Sequence, residues 1–146
     1  FPSGTYKKAH RHGPGAHLFT LSGSGYTLEW NWGKELVEFP WKDGTVYTAL
    51  NSFWHQHFNT GPEPVRYLAI THGRYHIGLR ARPSPKRDAT LKDYGDEMNY
   101  EDEDPWIRKK FREECSKRGV TVDDDKMNLS YELSLPADSY LVHDES

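Results

Sequence analysis

Apolar and polar positions in the first half of the chain fall into short stretches broken by turn-forming residues. Gly13-Pro14-Gly15, Gly23-Ser24-Gly25, Gly33-Lys34, Lys42-Asp43-Gly44 and Thr60-Gly61-Pro62 mark the breaks. Between them lie positions 17–21, 26–32, 36–41, 45–50 and 65–71, each rich in aromatic and β-branched residues. Turn signals recurring at intervals of about 8–12 residues predict a sandwich or barrel of short strands. No stretch before residue 80 has a helical period.

The second half has a different pattern. Positions 82–99 carry Pro83, Pro85 and many charges, and read as an extended connection with little core. The acidic run Glu101–Asp104 and Pro105 then precede Trp106–Arg118, with basic residues towards its end and Gly119 after it. Acid and proline at the start, base and glycine at the end, predict a helix over about 105–118. Its spacing puts Trp106, Ile107 and Phe111 on one face. Leu129, Tyr131, Leu133 and Leu135 alternate with polar residues and predict a strand over about 129–135. The expected organisation is a β core over 1–80 and a charged C-terminal extension over 81–146 that packs on or completes the same domain.

Composition narrows the class. The chain has 146 residues with a formal charge of −3, which argues against a strongly basic nucleic-acid binder. No run of about 18 apolar residues occurs, so no membrane-spanning helix is expected. With no charged-then-apolar leader, a cytoplasmic setting is the expectation. One cysteine, Cys115, leaves no intramolecular disulfide and no cysteine-based zinc site, and its place in the predicted helix makes it a helix-face residue. Gly23-Ser24-Gly25 is not followed by a helix and reads as a turn, not a phosphate cradle. Asp123-Asp124-Asp125 lacks EF-hand spacing. The charge is unevenly divided: residues 1–80 hold 8 Lys/Arg and 5 Asp/Glu, residues 81–146 hold 11 and 17. Seven of the eight histidines lie in residues 1–80.

The histidines are paired with period 2. In a strand, His10 and His12 point to one face, together with Tyr6 and Lys8. His55 and His57 repeat the arrangement, and Asn59 continues that face, while Trp54 and Phe58 point the other way into sheet packing. Two strands that each offer two imidazoles to one interior provide a metal site, since imidazole suits Fe, Zn, Cu and Ni. Three nitrogen ligands on one side leave positions open for substrate.

At this point the chain resembles the cupin superfamily, whose first motif is G(X)5HXH(X)3-4E(X)6G. Gly4, His10 and His12 match it. His17 stands at the glutamate position by one count and Ala16 by the other, and Gly23 closes the motif one residue early. The second motif, G(X)5PXG(X)2H(X)3N, is met by Gly44, His55 and Asn59, with Leu50 at its Pro and Ser52 at its Gly. The resemblance covers roughly residues 4–72. It implies a mostly β, cupin-like (double-stranded β-helix or jelly-roll) barrel with a short C-terminal helix and extended tail. It implies one divalent metal per chain, held by His10, His12 and His55, with His17 as candidate fourth ligand in place of the usual carboxylate. Fe(II) is preferred, with Mn, Ni and Zn as alternatives. His57 is the candidate catalytic residue, as a base or a hydrogen-bond donor to substrate, and Lys8 is a candidate for attracting an anionic one. The implied function is an enzyme acting on a small organic molecule, a non-haem Fe(II) dioxygenase by preference. The alternatives are a non-redox lyase, isomerase or hydrolase, and a non-catalytic ligand-binding cupin. Only nine residues precede His10, fewer than cupin barrels have. The missing strands would come from the tail around 129–135, from a second subunit, or from residues ahead of Phe1, and a homodimer is the expected assembly. No nucleic-acid or membrane partner is expected.

Overall fold

The aromatic and β-branched stretches pair as antiparallel strands because each has apolar side chains on a face that can be buried. A computed structural model describes residues 1–31, 34–71 and 96–127. In chain order the strands are β1 (Thr5–Tyr6), β2 (Ala16–Ser22), β3 (Gly25–Trp30), β4 (Val37–Trp41), β5 (Val46–Ala49), β6 (Trp54–Asn59) and β7 (Arg66–Thr71). One short 3-10 turn (Tyr100–Asp102) leads into a single α-helix, α1 (Pro105–Lys117). The expected helix is therefore observed within a residue, and the five expected strands are all present. The predicted strand over 129–135 and most of the 82–99 connection, with His72 and His76, lie outside the described residues.

The strands form two antiparallel sheets, one ordered β1-β6-β3-β4 and the other β5-β2-β7. The fold is thus mostly β with one short helix. Among the described residues no ladder joins the two sheets into a closed barrel.

The two inner strands of the four-stranded sheet are buried on both faces: every residue of β3 and β6 is buried. Its back face carries Tyr6, Tyr26, Leu28, Trp30, Trp54 and Phe58, which pack with Ile107, Phe111 and Cys115 of α1. Trp54 and Phe58 do point away from the histidines, as their alternation predicts. Of the apolar helix face expected from spacing, Ile107 and Phe111 are fully buried while Trp106 packs at its margin. The Asp104 carboxylate caps the helix by accepting the Trp106 N–H at 2.9 Å, and Gly119 ends it with a φ of +67°. The C-terminal half therefore contributes core, not only a charged surface.

In the three-stranded sheet β2 and β5 alternate in the ordinary way. Ala16, Leu18 and Thr20 of β2 face inward and are buried, whereas His17, Phe19 and Leu21 face outward and are exposed. On that outer face Phe19 lies in register between Val46 and Leu68, giving a row of exposed apolar side chains.

Candidate metal centre

His55 comes from the middle of the packed sheet. It lies on β6, where its alternation with Trp54 and Gln56 turns it to the front face, towards the second sheet. His10 reaches it by backbone pairing: each residue's N–H donates to the other's carbonyl, at 3.0 and 2.8 Å. Directly paired residues present their side chains to one face, and the two rings lie 4.4 Å apart, centroid to centroid. His12 stands 4.8 Å from His55 and 5.9 Å from His10 by the same measure. The Ser52 N–H donates to the His12 carbonyl at 3.2 Å and anchors the segment to the β5–β6 turn.

This pairing differs in one respect from the period-2 expectation. β1 pairs with β6 so that Thr5 faces Asn59 and Tyr6 faces Phe58, whereas His10 faces His55. The register has gained one residue on the N-terminal side, as in a β-bulge over residues 7–9. One extra residue exchanges the faces of everything before it. Tyr6 consequently joins the back core, stacked on Phe58, and not the histidine face. Lys8 pairs with Asn99 and Glu97 and lies over the Tyr100 ring, away from the site. Lys7 is the lysine that turns inward, bonded to the Tyr67 hydroxyl.

Three imidazoles are brought together. The ligand atoms of His10, His12 and His55 lie within 4.8 Å of one another, with His55 buried and the other two half-buried. Nitrogens sharing one ion at about 2.1 Å are at most about 4.2 Å apart, so a small rotation of the side chains closes the longest edge. The protonation pattern suits such an ion. The Nδ1 atoms of His10, His12 and His55 contact the carbonyls of Lys8, Pro14 and Phe53, at 3.0, 3.3 and 3.1 Å. A carbonyl only accepts, so Nδ1 carries the hydrogen, and in the neutral form of each ring Nε2 carries the lone pair. The Nε2 of His55 is buried without a hydrogen-bond partner. Burial, and then the neighbouring His10 and His12, hold the His55 imidazole well below its ordinary pKa, so it stays neutral.

His17 does not join them. It is an odd position of β2 and faces solvent, with Nδ1 bonded to the Thr48 hydroxyl at 2.9 Å. The expected fourth ligand thus lies on the outer face of the other sheet, and no carboxylate replaces it in the cluster among the described residues. Asn59 is buried but structural: its amide donates to the Phe1 and Glu63 carbonyls and its oxygen accepts the Gly61 N–H.

His57 lies deeper on the same face, its ring 5.6 Å from that of His55 and 6.0 Å from that of His10. Burial foremost, then the neighbouring His55, keeps it neutral by pushing its pKa well down. Its tautomer is set from behind. The Trp41 indole N–H donates to Thr27 Oγ1 at 3.0 Å, and Thr27 Oγ1 lies 2.8 Å from His57 Nδ1. The buried Thr27 hydroxyl meets no other acceptor among the described residues, so it donates to Nδ1 and leaves the hydrogen of His57 on Nε2. Nε2–H is then a donor held within the space between the sheets.

Comparison with protein-family models and with curated proteins gave no match for this chain. Five of the site's neighbours had no sequence signal, because strand alternation gives two faces without saying which is inner. Tyr47 and Tyr67 line the inter-sheet space with Thr27 and His57. Glu29, the cross-strand partner of His55, is buried and accepts hydrogen bonds from the Tyr47 hydroxyl and the Leu50 N–H. Burial raises the pKa of its carboxyl. Lys7 faces the site because of the register change.

Proposed function

We propose that this chain is a cupin-type metalloenzyme acting on a small organic molecule. In this reading His10, His12 and His55 hold one divalent metal, Fe(II) by preference, and the reaction is a dioxygenation. The observation that carries it is the convergence of three imidazoles whose Nδ1 atoms are all turned to backbone carbonyls, with a buried, unpartnered Nε2 on His55. Backbone carbonyls that orient ligating imidazoles are the usual outer partners of such sites. The cupin resemblance gains independent physical support from the backbone. The glycine positions of both motifs, Gly4, Gly23, Gly44 and Ser52, have φ values of +67°, +101°, +79° and +73°. Ser52 stands where the motif has Gly and adopts the left-handed conformation that favours glycine.

Bound Fe(II) would supply redox chemistry towards O2, and three imidazoles with no carboxylate beside them among the described residues would leave several positions open to ligands. The chain's own residues do the rest. The three carbonyls fix the imidazoles, the packed β6 holds His55 rigidly, and His57 offers a fixed Nε2–H to a substrate oxygen. A second reading, non-redox Lewis-acid chemistry, draws on the buried Tyr47 hydroxyl and Glu29 carboxylate, a proton donor and acceptor already in contact.

Metal analysis of the purified protein, with O2 uptake measured over a panel of small organic acids and catechols, tests the proposal. One iron per chain with substrate-dependent O2 uptake, both lost in His55→Ala, is the expected result. Zinc, nickel or manganese without O2 uptake would shift the assignment to the second reading. A chain that binds no metal but binds small molecules would be a non-catalytic binder, and the enzyme proposal would fall.

A further inference from the structure

The two sheets face each other unequally along their edges. On one side β4 meets β5 directly. On the other, β1 and β7 are the outermost strands among the described residues, and a side-chain contact spans the gap: Lys7 Nζ donates to the Tyr67 hydroxyl. Further along this seam, Ala69 and Thr71 occupy inward positions of β7 by register with Leu18 and Ala16, yet both are exposed. Their level along the sandwich follows from the ladder. Thr71 pairs with Ala16, and Ala16 with Ala49. The next residue, Leu50, donates to Glu29, the cross-strand partner of His55. The exposed seam therefore lies at the height of the three imidazoles, with Lys7 and Tyr67 one step deeper, where the Tyr67 ring is 5.6 Å from that of His57.

Lys7 is half-buried, and no carboxylate pairs with it among the described residues. Its ammonium rests instead against aromatic rings, 4.7 Å from the Tyr67 centroid and 5.3 Å from that of Phe1. The Tyr67 hydroxyl accepts from Lys7, and no described group takes its own hydrogen. An ammonium with spare donors and a phenol with its hydrogen uncommitted thus stand together, and both are donors. What this set lacks is an anion with acceptor oxygens.

We propose that Lys7 and Tyr67 recognise a carboxylate on the small molecule that enters along the β1–β7 seam, so that its other end reaches His10, His12 and His55. The substrate class is a small organic carboxylate. The inference rests on the metalloenzyme reading for the identity of the neighbouring centre, while the carboxylate contact itself needs no metal. Lys7 and Tyr67 hold the ligand in register with the imidazoles and exchange no proton with it.

The test is ligand-observed NMR with 13C-acetate, and with acetamide as the uncharged isostere, on the full chain both zinc-loaded and after chelation. Expected is saturable acetate binding in the metal-free protein, weakened at least tenfold in Lys7→Met and in Tyr67→Phe, and no more than about threefold in Lys7→Arg, which keeps the charge. Acetamide is expected not to bind. Equal binding of acetate and acetamide, or acetate binding unchanged in Lys7→Met, overturns the proposal. The two readings fail separately. A chain that takes up no metal but binds acetate through Lys7 refutes the metal centre and leaves this contact standing. A chain that binds zinc through His55 and is indifferent to Lys7 does the reverse.

Discussion

Glu103 is a carboxylate sealed beneath the strand that carries His55, and its ionisation should make the fold less stable as pH rises. It is 2 % exposed. It accepts the Tyr6 hydroxyl at 2.5 Å, the Gln56 amide at 3.1 Å and the Arg108 guanidinium at 3.3 Å. Two effects oppose each other here: burial disfavours the charged form, and Arg108 with the hydrogen bonds favours it. Burial wins, raising the carboxyl from 4.5 to about 7. Between those values the native state keeps a proton that the unfolded chain has lost, so stability falls with rising pH in that window. At about 1.4 kcal/mol per pKa unit, the loss across it is about 3 kcal/mol. Glu103→Gln replaces the carboxyl with an uncharged isostere, and the buried Gln56 Oε1, which has no partner, can accept from the new amide once Gln56 turns over. Urea denaturation of both proteins from pH 5 to pH 8 isolates the effect, since the histidine contributions are common to both and cancel in the difference. The variant should match the wild type near pH 5 and exceed it by about 2–3 kcal/mol at pH 8. A difference that is flat, or that favours the wild type increasingly as pH rises, would mean that the Arg108 pairing outweighs burial and would refute the reasoning.

His17→Ala should leave one metal ion per chain by elemental analysis, whereas His10→Ala and His12→Ala should lose it; loss in His17→Ala would restore the fourth ligand. Ser52→Gly relieves a left-handed φ of +73° and should change the urea midpoint little or raise it, while Ser52→Val, β-branched in that region, should cost about 1–2 kcal/mol. Thr27→Val removes the hydroxyl between Trp41 and His57, leaves two buried nitrogens unpaired and should cost about 1–3 kcal/mol. Its 15N spectrum should also show His57 no longer confined to the Nε2–H tautomer. Phe111→Ala empties a fully buried site against Tyr6 and Phe58, and thermal and urea unfolding should show a loss of about 3–5 kcal/mol.

The strands and the helix were legible in the sequence because their signals are local. Turn residues bound β2, β4, β5 and β7, and Asp104, Pro105 and Gly119 bound α1 through the chemistry of helix ends. The direction of Trp54 and Phe58 followed from alternation within one strand. What was not legible depends on relations between strands. Nothing in β2 alone says that Ala16, Leu18 and Thr20 are the inner set and His17 the outer, since a histidine beside Phe19 and Leu21 reads equally well as an inward row. Glu29 and Thr27 became neighbours of the site only through the pairing of β3 with β6. The C-terminal half was underestimated for a similar reason. Its charges dominate the composition, but the three residues that matter, Ile107, Phe111 and Cys115, cover the back of the sheet that holds His55.

The extra residue between Tyr6 and His10 is where these threads meet. Had the β1 register continued unbroken, Tyr6 and His10 would share a face, and one of two functions would fail. Either Tyr6 would leave the core it forms with Phe58 and Phe111, or His10 would turn into that core, away from His55. The bulge lets a short segment serve both layers: Tyr6 behind the sheet, then Lys7 and His10 in front of it. Tethers hold the rearranged stretch on its outer side. The Met98 N–H donates to the Ala9 carbonyl at 2.8 Å and the Arg11 N–H to the Asp96 carbonyl at 2.9 Å. The Arg11 side chain also pairs with Asp96 while lying over Trp54. The C-terminal segment is thus coupled to the geometry of the imidazoles through the backbone it braces. Loosening that brace, for instance by Asp96→Ala, should disturb His10 and His12 before it disturbs His55, which the buried β3 holds from its other side.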